Sequence, residues 1–141
     1  MTTDYNPLCS YIREVADKLR LRDWEFVLKD EPPEDEDVSA EIVPIEGRKR
    51  ASIYLCTGFR ELSPEEQRHT IVHELLHCHL ESATDIIRLD LWEHRVLSQN
   101  AYDILIGGFR RQIEYAVDAI ADAIAHNFPL IEWDANTPTR G

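Results

Sequence analysis

Cysteine is scarce in this 141-residue chain: Cys9, Cys56 and Cys78 are the only three, too few and too scattered for a disulfide scaffold. That excludes a stapled secreted mini-domain and fits a reducing cytoplasm. Long apolar runs are missing as well, and the opening Met1-Thr-Thr-Asp has neither a basic region nor an apolar stretch of signal-sequence length. Export and membrane insertion are unsupported. Positive charge is also short, with 15 Lys and Arg against 27 Asp and Glu, a formal charge of -12. Such a surface repels phosphate backbones and anionic headgroups, so neither nucleic acid nor membrane is an expected partner. There is no internal repeat, and the length suits one compact domain over residues 1–141.

Six acidic residues crowd around Pro32 and Pro33 between Asp30 and Asp37, which reads as a solvated loop. The run lacks the Asp-x-Asp-x-Asp-Gly spacing that wraps a chain around calcium. Elsewhere the apolar periods are informative. Leu8, Tyr11, Ile12, Val15 and Leu19 recur at helical spacing behind Asn6-Pro7, predicting a helix over 7–21. Residues 24–28, 38–43 and 51–56 are short and rich in β-branched and aromatic types, predicting three strands in an antiparallel sheet. Gly47 with Arg48, Lys49 and Arg50 marks a hairpin turn.

Ser63-Pro64-Glu65-Glu66 combines an N-cap serine, a first-turn proline and a capping-box glutamate, and predicts a helix over 64–82. Residues 84–106 read as one or two further helices, broken at Gly107-Gly108. Ile113, Ala116, Val117, Ile120 and Ile124 then define a last helix from Phe109 to about Asn127. The tail, 129–141, is expected to dock through Trp133 and then fray. The fold class is α+β.

On the capped helix stands His73-Glu74-Leu75-Leu76-His77. Residues four apart share a helix face, so both imidazoles reach one ion while Glu74 points about 100° round, toward a water on that ion. Zinc held by neutral nitrogens and a carboxylate keeps a position for water and lowers its pKa to about 7, and a nearby carboxylate takes the proton. Glu74 is the expected general base, and Zn2+ the expected cofactor.

The motif resembles the active-site helix of the zincin metalloproteases, and Ala51 to Cys56 resembles the strand that precedes it in that superfamily. Metzincins place a glycine and a histidine where this chain has Leu80 and Ala83, so that subclass is excluded. Gluzincins take their third ligand from a later Glu-x-x-x-Asp pattern, to which Glu114-Tyr-Ala-Val-Asp118 is similar. The resemblance implies Glu114 as third metal ligand and Asp118 as the partner that orients His73. Two carboxylates four apart also form ordinary solvated helix surface, and Glu81, Asp85, Glu93 and His94 are rival ligands. The arrangement of helices and small sheet is similar to the minigluzincins. In gluzincins the strand before the motif helix pairs with extended substrate, which by analogy gives Ala51 to Cys56 that role.

A zinc-dependent peptidase acting on peptide or protein substrates is the leading expectation. The alternative is a catalytically weak zincin-like module that binds zinc for stability and proteins through its acidic surface. A deformylase is disfavoured, since its glycine-rich and cysteine ligand motifs are missing. Candidate substrate or transition-state contacts are Tyr115 and His69, and Tyr102 and His94 are equally open as carbonyl-stabilising donors. His79, two residues past His77, points to the far side of the helix. His126 is expected to top a helix C-terminus, and Cys78 to be packing rather than a nucleophile.

Overall fold

The computed structural model describes residues 7–45 and 47–133, so Asn6 and residues 134–141, where helix capping and fraying are expected, lie outside the described residues. Helix α1 spans Pro7–Lys18 and buries Leu8, Tyr11, Ile12, Val15 and Ala16, the stripe its 3.6-residue period dictates. It ends earlier than the pattern predicts because Arg20 turns into the left-handed region at φ 67°, which lets the Leu21 amide reach back to the Ala16 carbonyl. Leu21 is thereby folded into the core.

Strands β1 (Glu25–Leu28), β2 (Ala40–Pro44) and β3 (Arg50–Leu55) form one sheet in the order β1-β3-β2. β2 and β3 are an antiparallel hairpin around Gly47, whose φ of 75° suits glycine. The expectation of a fully antiparallel sheet is corrected by β1, which runs parallel to β3. Sequential strands need not be neighbours: the acidic segment after β1 carries the chain past β3's position to β2, and the hairpin then inserts β3 between them. This order places β3 in the centre, with both edges taken. The substrate-pairing role assigned by analogy to Ala51 to Cys56 is therefore untenable, because a central strand has no free amides to offer.

Helix α2 runs over Pro64–Leu80. Its first turn is fixed by the full capping box: Ser63 Oγ accepts from the Glu66 amide, and Glu66 Oε2 accepts from the Ser63 amide. Val72 and Leu75 are completely buried, each contributing roughly 1.5–3 kcal/mol of apolar burial. Gln67, only 2% exposed, is a polar hub. Its Nε2 faces the carbonyls of Phe59, Arg60 and Leu62, and its Oε1 accepts from Trp133 Nε1. The C-terminal segment is thus docked through Trp133 and through Tyr11, whose hydroxyl donates to the Pro129 carbonyl at 2.6 Å.

Past α2 come the short α3 (Ser82–Asp85) and a π-helical segment (Ile86–Trp92). Helix α4 then spans Gln99–Ile124, capped by Ser98 Oγ on the Ala101 amide. Gly107 and Gly108 do not break it, contrary to expectation. Each glycine costs about 1 kcal/mol inside a helix, but Ile106, Ile113, Val117 and Ala121 anchor α4 on both sides of them. No helix among the described residues is long and apolar enough to cross a membrane.

Candidate metal centre

Helices α2 and α4 lie antiparallel and meet along a ladder of polar side chains, each set at four-residue spacing. From one end, His69 Nε2 faces Asp122 Oδ1 at 2.8 Å, and His73 Nδ1 faces Asp118 Oδ1 at 2.9 Å. Glu114 then spans the two motif histidines, with Oε1 2.8 Å from His73 Nε2 and Oε2 3.1 Å from His77 Nε2. The i, i+4 geometry that stacks residues on one helix face operates on both helices at once, and burial of Val72, Leu75, Val117 and Ala121 fixes which faces meet.

His73, His77 and Glu114 offer ligand atoms that all lie within 4.8 Å of one another. The Asp118 carboxylate lies 2.9 Å from His73 Nδ1 and favours a proton there, and in the neutral ring that leaves Nε2 with a lone pair. The Glu114 oxygens carry only lone pairs as well. At 2.8 and 3.1 Å the Glu114 oxygens are close enough to the two Nε2 atoms for either a shared proton or a metal cation to join them, and two imidazoles with one carboxylate suit zinc. The residues therefore fit the ion that the sequence motif implies. Both histidines are nearly buried, at 13% and 12% side-chain exposure, while Glu114 is 51% exposed, so the cluster opens to solvent past α4.

Glu74 lies beside the cluster, with Oε1 3.9 Å from His73 Nε2. Its Oε2 accepts from the Ile42 amide at 3.0 Å. That amide points away from β3, because Ser39 and Ile45 make the bonds toward β3, and alternate residues of a strand face opposite edges. The edge nearest the motif is therefore that of β2. Burial pushes the Glu74 carboxyl up to about 7, against the pull of His77 and of the Ile42 amide, and with a further rise from Glu114 and Glu41. Burial pulls the His77 imidazole down, but the carboxylates Glu81, Glu74 and Glu114 outweigh it and raise it above the usual value.

Among the rival ligands, Glu81 sits behind His77, its Oε1 3.4 Å from Nδ1, at ion-pair distance without a well-formed hydrogen bond. It faces the ring from the side away from Glu114. Asp85 is paired with Arg88, and Glu93 and His94 are exposed in the turn after the π-helical segment. None of the four joins the group of His73, His77 and Glu114.

Tyr115 is 60% exposed beside Glu114, Tyr102 stacks on Trp92, and His69 is held by Asp122. His79 Nε2 donates to the Leu19 carbonyl, tying α2 to the end of α1, and His126 lies exposed in the 3-10 turn that follows α4. Cys78 is buried, and burial pushes its thiol up to about 12, an inert packing residue. The Asp122, Glu81 and Ile42 contacts went unforeseen in the sequence. The first two carry a signal there: Glu81 continues the four-residue spacing of His69, His73 and His77, and Asp122 continues that of Glu114 and Asp118. The third depends on strand order, which has none. Comparison with protein-family models, with curated proteins and with solved structures finds no match to this chain.

Proposed function

We propose that the protein is a zinc-dependent peptidase of the gluzincin kind, with the ion held by His73, His77 and Glu114. The observation that carries this reading is that ligand atoms of His73, His77 and Glu114 lie within 4.8 Å of one another, with the buried Glu74 carboxyl 3.9 Å from His73 Nε2. A bound zinc ion supplies Lewis acidity toward a carbonyl oxygen and acidifies water at neutral pH.

The chain's own residues do the rest. Asp118 holds the His73 ring by Nδ1 and so fixes the direction of its Nε2. Glu74 takes a proton from the attacking water and returns it to the leaving amine, a task suited to a carboxylate placed beside the cluster. The outward edge of β2 lies beside Glu74, which already holds the Ile42 amide, so an extended peptide would meet that edge chiefly through the strand's outward carbonyls. Pro44 lacks an amide and limits that pairing at one end.

The test is a panel of internally quenched peptides incubated with zinc-loaded protein and with Glu74→Gln. Cleavage by the first and not the second supports the reading. Stoichiometric metal with no cleavage of any peptide favours the zinc-binding interaction module instead.

A further inference from the structure

We infer that the cleft beside the histidine pair takes a carboxylate of the peptide lying along β2, and that Arg110 is the residue that selects it. A cavity of about 750 Å3 opens between β2 with its hairpin and the C-terminal end of α2 with α3, a size in the usual range for ligand sites. Three of its lining residues join it to the metal cluster. Ile42 meets Glu74, Glu81 stands behind His77, and Arg110 is one turn from Glu114 on α4.

The charge of this lining departs from that of the molecule. Five Lys and Arg and four Asp and Glu line the cavity, whereas the whole chain has 15 against 27. Lys49 and Arg88 are committed to Asp23 and Asp85. Arg20, Arg48 and Arg110 are exposed and make no salt bridge among the described residues. Arg110 is the one nearest the chemistry.

A guanidinium presents a planar fork that matches a carboxylate in bidentate fashion. The chain as a whole carries a formal charge of -12, which repels such a group, whereas the lining of the cleft is balanced enough to admit it. The exposed apolar side chains of Val43 and Ile45 offer the stem of that substrate residue a wall. The carboxylate comes from an Asp or Glu side chain or from a free C-terminus, on the side of the scissile bond that lies over the end of α2. The direction of the peptide rests on the peptidase reading, so the test measures binding as well as turnover.

Zinc-loaded Glu74→Gln is titrated with matched peptides carrying Glu, Gln or Lys on that side, each with a free or an amidated C-terminus. The acidic peptide is expected to bind about tenfold more tightly than its neutral match, the usual gain from one charge-assisted hydrogen bond. Added Arg110→Gln brings the ratio to about one, and Arg110→Glu turns it toward Lys. Dependence on Glu assigns the side chain, and dependence on the free acid assigns the chain end. Equal binding of acidic and neutral peptides, a ratio unmoved by Arg110→Gln, or no binding of any peptide overturns the inference. Acid-selective binding without cleavage by the wild type supports the carboxylate site while contradicting the peptidase reading, and cleavage without acidic preference does the reverse.

Discussion

Asp118 Oδ1 lies 2.9 Å from His73 Nδ1, on the opposite side of the ring from the nitrogen that faces Glu114. The contact decides which tautomer His73 adopts. Asp118→Asn removes the charge while keeping the shape, and is expected to weaken zinc binding about 10- to 100-fold, the usual effect of losing such a partner. Competition against a chromogenic chelator measures it, and affinity equal to wild type would separate Asp118 from the site.

Glu74→Gln keeps a polar group of the same size beside the Ile42 amide but cannot take a proton. Metal content is expected to stay at the wild-type level while kcat falls by about 10²–10⁴, the range for losing a general base. Full retention of hydrolysis would remove Glu74 from the mechanism.

Gln67 satisfies three carbonyls and one indole from a site that is 2% exposed. Truncation to alanine strands those groups away from water, at about 1–3 kcal/mol for a buried unsatisfied group. Chemical denaturation should place Gln67→Ala on the order of 2–4 kcal/mol below wild type, with the Trp133 segment loosened first. A loss below about 0.5 kcal/mol, the level of an ordinary surface change, would show that water replaces the side chain.

The Tyr11 phenol is pushed from 10.0 up to about 12, chiefly by burial, with Arg68 opposing and Glu14 adding a little. Because the folded value lies above the unfolded one, its contribution to stability is whole below pH 10 and is lost as pH rises toward 12. Tyr11→Phe gives up the bond to Pro129, about 1 kcal/mol at neutral pH. It should also flatten this alkaline decline, as denaturant midpoints across that range will read. An unchanged alkaline slope would exclude Tyr11 as its source.

The legible parts of the fold are those dictated by local chemistry. Ser63 and Glu66 announce the start of α2, and Gly47 announces the hairpin, because caps and turns are solved within a few residues. Strand order is not local. Nothing in residues 24–28 or 51–56 says that one will lie parallel to the other, and the choice is made by the packing of α1 and α2 on the sheet. Gly107-Gly108 misleads for a similar reason, since tertiary burial of Ile106 and Ile113 overrides a local preference.

At the candidate site, the spacing of His73 and His77 and that of Glu114 and Asp118 each define a helix face, and the structure brings those faces together. The contribution of β2 was hidden. Ile42 looks like any alternating strand residue, and only its place on a free edge makes its amide the partner of Glu74.

The proposed centre is one zinc ion held by His73, His77 and Glu114. Elemental analysis of purified, zinc-supplied wild type beside Glu114→Ala and Glu93→Ala tests it most directly. Close to one zinc per chain is expected in wild type and in Glu93→Ala, and a sharp loss in Glu114→Ala. Little or no zinc in the wild type, or equal zinc in all three proteins, would contradict it.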